Sequence, residues 1–252
     1  MGGVEEILIG HLTDLHLNGR FDRRERFERA LAKAREFRVD HLILTGDLTK
    51  NGSASQFREL ASCLGGWTSE SVTIIPGNHD EGREYDRSIA SGELSRFQRT
   101  SLLPFQLKGA LKILPLDTRF AKRSLAFKAI GKIGTEQIAA VAREVEDRSL
   151  PLLIAQHHGP HLTPWSLFHG LTDRKAVLGL LQKRDDVLIL AGHDHVVQDL
   201  FDGKVRIAGS VAHHPDPLRV YRLAGRSFEN VLAVPGGQFM SFGRRWVGIR
   251  NP

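Results

Sequence analysis

Short apolar runs alternate with amphipathic stretches along the first third of the chain. Three of these runs predict β-strands, at residues 7–12, 41–46 and 71–77. The stretches between them carry apolar residues at helical spacing and predict helices at 22–37 and 53–64. Because parallel neighbours need crossover connections, this β-α-β-α-β order predicts a largely parallel sheet.

The alternation continues through the middle of the chain and then changes. The pattern predicts helices at 84–99, 134–148 and 172–183, and strands at 111–118, 150–156 and 186–192. Thr135 is predicted to cap the helix at 134–148. From there to residue 235, short strand-like pieces follow one another without helices, which predicts hairpins.

Length and composition indicate one large domain in a soluble compartment. Of the 252 residues, 41% are hydrophobic, which is typical of a protein with a buried core. We predict a domain at 1–235 and a C-terminal tail at 236–252, whose pattern favours no element. No run approaches the roughly 18 apolar residues of a transmembrane helix. The N-terminus is acidic where a signal peptide is basic, and Cys63 is the only cysteine, so we expect a cytoplasmic protein without a membrane partner.

The charge of the chain bears on its partners. The net charge is +6, and the basic residues are scattered rather than grouped. Such an excess favours anionic substrates, while the lack of basic runs interleaved with aromatics does not favour nucleic acid. The sequence leaves the oligomeric state open, with a dimer among the alternatives.

Polar side chains of metal-ligand type follow five of the predicted strands. They are Asp14 and His16, Asp47, the group Asn78, His79 and Asp80, the pair His157 and His158, and finally His193 and His195. In open α/β sheets ligands bind at the carboxyl ends of the strands, so these side chains are expected to meet at one rim. Carboxylate, amide and imidazole donors suit Mn, Fe or Zn, and the absence of thiolates argues against a cysteine-type zinc site.

The spacing within these groups predicts how they converge. In Asp14-x-His16 and His193-x-His195 the two side chains are two residues apart, so an extended backbone would direct both to one side. A glycine precedes Asp47, Asn78 and His193, which allows tight turns and a close approach of the backbone. Each motif alone is common in ordinary turns, and only the complete ordered set argues for a reaction centre.

The ordered set D-x-H, G-D, G-N-H-D, H and G-H-x-H resembles the calcineurin-like metallophosphoesterase superfamily. The stretches "LTDLHL", "GDLTKNGSASQF", "VTIIPGNHD" and "LAGHDH" are most similar to its bacterial class III cyclic-nucleotide phosphodiesterase branch. The resemblance spans residues 7 to about 210. It implies a four-layer α/β/β/α sandwich with a dinuclear metal site, holding Mn, Fe or Zn, at the carboxyl ends of the strands.

The resemblance also implies a role for each residue of the set. The first metal would be held by Asp14, His16 and His195, the second by Asn78, His157 and His193, and Asp47 would bridge them. His79 would contact the phosphate and assist the leaving group, with Asp80 orienting it. Relatives commonly show two histidines followed by two prolines. Gly159 replaces the first proline here, so His158 stays an alternative to His157.

The expected function is the metal-dependent hydrolysis of small phosphodiesters, with 3′,5′-cyclic nucleotides as the first substrates to test. A metal-bridging hydroxide would be the nucleophile. The same site would also suit a phosphomonoesterase, a nuclease or a pyrophosphatase, and a non-catalytic metal-binding scaffold is the remaining alternative. The loop 157–171 resembles an active-site flap, where Trp165 and Phe168 would either stack on a base or anchor the loop.

Overall fold

The computed structural model describes residues 6–68, 70–97, 103–119, 129–162, 169–232, 237–241 and 246–250. The chain forms two large mixed sheets with helices on their outer faces. The first sheet has the order β11-β10-β1-β2-β3, and the second has the order β4-β5-β6-β7-β9-β8. Trp165 and Phe168 of the predicted flap lie outside the described residues.

The first sheet has a parallel centre and an antiparallel edge. Its strands are β1 (Ile7–Leu12), β2 (His41–Thr45), β3 (Val72–Ile75), β10 (Arg219–Ala224) and β11 (Ser227–Leu232). β1, β2 and β3 pair in parallel, as the alternating pattern predicts, while β10 runs antiparallel to β1. Their carboxyl ends therefore point to the same rim.

The second sheet repeats this arrangement. Its strands are β4 (Phe105–Leu107), β5 (Leu111–Pro115), β6 (Leu152–His158), β7 (Val187–Gly192), β8 (Gln198–Leu200) and β9 (Val205–Ile207). β5, β6, β7 and β9 are parallel, and the short strands β4 and β8 are antiparallel edges. The hairpins predicted after residue 192 are thus present as β8–β9 and β10–β11.

Three cores separate the layers. One lies between the first sheet and the helices α1 (Phe21–Glu36), α2 (Ala54–Cys63) and α3 (Arg83–Ala90). Another lies between the second sheet and the helices α4 (Thr135–Glu146) and α5 (Arg174–Leu181). The third is formed by residues such as Ile9, Ile43 and Leu190, where the two sheets face each other. The predicted four-layer α/β/β/α sandwich is therefore confirmed.

Two local predictions fail for identifiable reasons. The helix expected at 84–99 ends at Ala90, and Gly92 follows in a turn where an added Cβ would lie 2.8 Å from the Ser88 Cα. Thr135 is the first residue of α4 rather than its cap. Gly134 takes the cap position with φ +83°, and the Asp173 carboxylate accepts the amides of Ile133 and Gly134. A distant residue thus holds the turn that precedes this helix, which local spacing cannot predict.

The C-terminal segment contains two further strands. β12 (Gly237–Ser241) and β13 (Trp246–Arg250) pair antiparallel as a separate two-stranded sheet. The division into a domain at 1–235 and a tail at 236–252 stays a prediction. Among the described residues, no helix combines the length and the apolar character that crossing a membrane requires.

Candidate metal centre

The rim where the two sheets meet collects the polar groups that follow the strands. Asp14 and His16 follow β1, Asp47 follows β2, and Asn78 follows β3 in a short 3₁₀ turn. From the second sheet, β6 ends in His157 and His158, and β7 leads into His193 and His195. These side chains form two groups in which the potential ligand atoms lie within 4.8 Å of one another: Asp14, His16, Asp47 and His195, and His157, His158 and His193.

The first group surrounds two carboxylates. The Nε2 atom of His195 lies 3.2 Å from Asp14 Oδ1 and 3.2 Å from His16 Nε2. His16 Nε2 lies 3.9 Å from Asp14 Oδ1 and 3.8 Å from Asp47 Oδ2. Asp14 is fully buried, and its other oxygen accepts the Thr13 hydroxyl and the His193 amide. Four side chains thus direct donor atoms at one small volume.

The second group is centred on His157. Its Nδ1 atom donates to the Thr45 carbonyl at 2.7 Å, which turns Nε2 toward Asn78 Oδ1 at 3.2 Å and Asp47 Oδ1 at 3.4 Å. Metal-binding histidines commonly donate their second nitrogen to a carbonyl in this way. Asp47 therefore approaches both groups. Its Oδ2 atom lies near His16 of the first group, and its Oδ1 atom lies near His157 of the second.

The alternation of side chains along β6 separates His157 from His158. His157 faces the first sheet, while His158 contacts the hydroxyl of Thr118 at 2.7 Å through Nδ1. Both rings lie near the ring of His193, at centroid distances of 5.1 and 4.4 Å. Of these two histidines, His157 is the one whose Nε2 atom approaches Asp47 and Asn78, which favours His157 as the metal ligand.

The convergence of the site depends on strained backbone. Asp14, His16, Asp47, His193 and His195 all have positive φ, between +45° and +75°. The expectation of an extended backbone in Asp14-x-His16 and His193-x-His195 is therefore wrong. Left-handed conformations are costly for residues with a Cβ, by about 1–2 kcal/mol each, and they cluster at functional sites.

Two glycines let the loops approach one another, as the sequence predicts. A Cβ on Gly77 would lie 2.3 Å from the amide nitrogen and Oδ1 of Asp47. A Cβ on Gly192 would lie 1.8 Å from Thr13 Oγ1 and 2.7 Å from Asp14 Oδ2. A residue with a Cβ atom would not fit at either position without a shift of its neighbours, so both positions favour glycine.

Substituting Gly192 by alanine is expected to lower the free energy of unfolding by about 2 kcal/mol or more, because the added methyl group overpacks the Thr13–Asp14 contact. Urea denaturation measures this loss. Gly179→Ala is the matched control, since nothing lies within 4 Å of a Cβ at that position in α5. It should be neutral or slightly stabilising. Equal stability of the two variants would contradict the close approach at Gly192.

His79 is oriented differently from the sequence-based expectation. Its Nδ1 atom donates to the Lys50 carbonyl at 2.8 Å, and its Nε2 atom lies 4.0 Å from Asp47 Oδ2. Asp80 is fully buried and turns the other way: its carboxylate accepts the amides of Leu48, Thr49 and Gly77. Asp80 therefore fixes the loop that carries the Lys50 carbonyl, and acts on His79 only through that loop.

The electrostatics of the site favour a positive charge beside Asp47. Burial lowers the pKa of His16 and of His193 to about 4, so both imidazoles are neutral at pH 7. His157 is also desolvated, yet Asp47 and then Asp14 raise the pKa of its ring to about 9. Although burial opposes it, His157 keeps the pKa of Asp47 well below its usual value. Asp14 and Asp47 are thus ionised, and their negative charge keeps a proton on His157, the nearest base.

These donors fit a bound metal. His193 Nε2 is buried and has no hydrogen-bond partner among the described residues, although it faces the other histidines. A buried nitrogen without a partner is unfavourable unless something binds it. The ionised carboxylates and the neutral imidazoles of His16 and His193 are in the forms that ligate metals, and His157 would give up its proton on binding one. The mixture of oxygen and nitrogen atoms matches the Mn, Fe or Zn predicted from the sequence.

Three supporting residues were missed at the sequence level. Thr118 holds His158, Arg119 donates to the Asp80 carbonyl at 3.3 Å, and the Asp117 carboxylate accepts hydrogen bonds from the Arg119 guanidinium with both oxygens. These residues directly follow β5, so the strand-end rule, applied to that strand as well, would have found them. Together they connect the second sheet to the turn that carries Asn78 and His79.

Comparison with known proteins identifies the family. The calcineurin-like phosphoesterase profile matches residues 7–197. A Colwellia psychrerythraea protein named "probable cyclic nucleotide phosphodiesterase" is 21% identical, over 76% of this chain and 72% of that protein. An Arcobacter nitrofigilis protein named "probable glycerophosphodiester phosphodiesterase" is 28% identical, over 69% and 64%.

A solved structure agrees in fold. A dimetal phosphatase from Danio rerio superposes with a TM-score of 0.67 at 15% identity, covering 89% of this chain and 98% of that one. The profile match extends from β1 to just past the second histidine of the G-H-x-H motif, well over half of the chain. The protein is a hydrolase acting on phosphoric esters, and it belongs to the calcineurin-like phosphoesterase family.

Proposed function

We propose that this protein is a dinuclear metal-dependent phosphodiesterase. Asp14, His16 and His195 would hold one ion, and Asn78, His157 and His193 the other, with Asp47 between them. The observation that carries this proposal is the position of Asp47. Its Oδ2 atom lies 3.8 Å from His16 Nε2, and its Oδ1 atom lies 3.4 Å from His157 Nε2, so one carboxylate serves both groups.

Bound divalent ions would supply positive charge for the phosphoryl oxygens and lower the pKa of a water molecule. The chain contributes the geometry. Its strained loops and close glycines fix the donor atoms before substrate arrives, which is the preorganisation that electrostatic catalysis requires. Burial of the carboxylates removes competing water and strengthens their interaction with cations.

His79 is suited to protonate the leaving oxygen. Its hydrogen bond to the Lys50 carbonyl keeps a proton on Nδ1, so Nε2 is the atom that can give up and regain a proton. The side chain is 34% exposed, unlike that of His16 beside it, and its Nε2 atom points toward Asp47. A half-exposed imidazole beside the site can thus meet a substrate atom without being a ligand.

The proposed substrate class is a small phosphodiester, with 3′,5′-cyclic nucleotides first among the candidates. Support comes from the names of the relatives. Besides the two above, a Mycobacterium tuberculosis protein named "cAMP/cGMP dual specificity phosphodiesterase" is 25% identical over 75% of this chain and 62% of that protein. All three names specify diesters, whereas monoesters, pyrophosphates and nucleic acids are the alternatives for the same kind of site.

The proposal is tested with protein stripped of metal and reloaded with Mn²⁺. We expect hydrolysis of bis-p-nitrophenyl phosphate and of 3′,5′-cyclic AMP, both lost on chelation and restored by metal. The monoester p-nitrophenyl phosphate should be turned over at about one tenth of the rate of the diester or more slowly, since the site is proposed to bind singly charged diesters. Hydrolysis of the monoester alone would refute the diesterase, and two bound ions without any turnover would favour the scaffold.

A further inference from the structure

Three cationic side chains and one histidine line one side of the metal centre. Arg23 and Arg26 lie on α1, which begins five residues after His16, while Lys50 follows β2 and His213 follows β9. Arg23 and Arg26 are one turn apart and share a helix face. We call Arg23, Arg26, Lys50 and His213 the cationic rim.

The two rim arginines contact the backbone of the metal-binding loops. Arg23 Nη1 contacts the His16 carbonyl at 3.4 Å, and Arg26 Nη1 contacts the Ala212 carbonyl at 3.4 Å. Ala212 in turn donates its amide to the carbonyl of Asp14. The carbonyl of Lys50 orients His79. The rim therefore borders the side of the site that carries His16, His79 and His195.

The cationic side chains of the rim form no direct ion pair within the described part of the chain. No carboxylate oxygen there lies within 4.0 Å of the charged nitrogens of Arg23, Arg26 or Lys50. The outward-facing arginines of the same helix behave differently, since Arg24 pairs with Glu28 at 2.8 Å and Arg29 pairs with Glu25 at 3.2 Å. Each rim arginine uses one of its five N–H donors in a hydrogen bond of 3.4 Å, and its other donors have no partner among the described residues.

The rim lies directly beside the metal centre. The ring of His213 is exposed and its centroid lies 5.4 Å from that of His195. Arg23 and Arg26 reach the carbonyls of His16 and Ala212, so their two positive charges lie on the same side of the site. An anion placed between them would be attracted by both.

We propose that the cationic rim binds a second anionic group of the substrate, a phosphate on the half of the molecule that does not react. The preferred substrate class is then a phosphodiester with an additional terminal phosphate, such as a nucleotide diester that also carries a phosphomonoester. This inference rests on the proposed diesterase function and narrows its substrate. A simple cyclic nucleotide has a single charged group, which the metals would occupy, and would leave the rim empty.

Phosphate suits the rim better than a carboxylate does. Arginine presents a planar fork of donors that matches phosphate oxygens, and a phosphomonoester offers three oxygens and nearly two charges at pH 7. Two arginines from one helix and a lysine from a neighbouring loop can share these oxygens. A longer nucleic acid would need further basic groups along a track, whereas the neighbouring arginines on α1 are already paired with glutamates.

The test compares two chromogenic esters on the Mn²⁺-loaded protein. Thymidine 5′-(p-nitrophenyl phosphate) and the same ester with a 3′-phosphate share the scissile bond and the leaving group, and they differ only in the extra phosphate. We expect the 3′-phosphate to raise kcat/KM about tenfold or more, mainly through a lower KM, since hydrogen bonds to charged groups are worth that much. The preference should shrink as ionic strength rises.

The variant that tests the assignment combines Arg23→Gln with Arg26→Gln, and its readout is the ratio of kcat/KM for the two esters. We expect this ratio to fall to about one, whereas Arg24→Gln combined with Arg29→Gln, which removes the same two charges from the same helix, should keep it. Equal rates for both esters in the native protein, or an unchanged ratio in the double variant, would overturn the proposal. A preference that grows with oligonucleotide length would also overturn it. Failure of the diesterase function itself would be seen separately, as no hydrolysis of bis-p-nitrophenyl phosphate.

Discussion

Asp47→Asn is expected to remove metal and activity together. The carboxylate is the one side chain that approaches both ligand groups, with His16 near one oxygen and His157 near the other. Asparagine keeps the shape and can still accept the amide of His79, which Asp47 Oδ1 now accepts at 2.8 Å. The variant should therefore fold while it loses the negative charge between the two sites. We expect kcat/KM on bis-p-nitrophenyl phosphate to fall at least about 10³-fold, the scale of losing an electrostatic stabiliser at a reaction centre.

The measurement combines metal content after gel filtration with the rate on the diester. Asp185→Asn is the matched control, since that carboxylate is fully exposed and pairs with Lys204 at the opposite end of β7. It should keep both metal and rate. An Asp47→Asn protein that retains two ions and the native rate would show that this carboxylate does not bridge them.

The layered fold and the positions of the site residues were accessible from the sequence for a common reason. Buried parallel strands read as apolar runs, and the residues that follow them arrive at one rim whatever the details of the loops. Asp14, Asp47 and His157 come from three strands in two different sheets, yet each is found directly after or at the end of an apolar run. Thr118 and Arg119 were missed because the rule was not applied to the end of β5, which both residues follow.

What the sequence did not provide is the conformation of the loops. Two residues that are two positions apart, such as Asp14 and His16, are compatible with an extended strand. The three-dimensional structure is needed to show that both have positive φ. The partner of His79 was missed for a similar reason. Asp80 is its neighbour in sequence, but the 3₁₀ turn directs that carboxylate to the amides of Leu48 and Thr49. Contacts between loops from different strands decide these orientations, and local spacing carries no information about them.

The arrangement also links catalysis to the packing of the two sheets. Thr45 at the end of β2 accepts the hydrogen bond of His157 from β6, and the Gly192 segment of β7 packs on Thr13 after β1. A shift between the sheets would move ligands of the same ion apart, because each proposed triad takes residues from both sheets. The core between the sheets, with Ile9, Ile43 and Leu190, therefore determines the site geometry as well as the stability of the fold.

His79→Ala is expected to slow turnover about 10²–10⁴-fold on an ester with a poor leaving group while leaving the metal content unchanged. The side chain is held by the Lys50 carbonyl and lies 4.0 Å from Asp47, so its removal deletes a proton donor and none of the proposed ligands. The diagnostic measurement compares diphenyl phosphate with bis-p-nitrophenyl phosphate. Phenolate is the more basic leaving group and depends more on protonation, so the loss should be about tenfold larger for diphenyl phosphate.

This comparison separates the chemical role of His79 from a role in binding. If the imidazole only attracted the phosphate, both diesters would lose the same factor, since they carry the same charge and nearly the same shape. If it held an ion, metal content would fall together with the rate. A loss that grows with the basicity of the leaving group, at constant metal content, is expected only of a proton donor, and equal losses on the two esters would refute that role. Because His79 is oriented through the loop that Asp80 fixes, Asp80→Asn should reproduce part of the same leaving-group dependence without contacting the substrate.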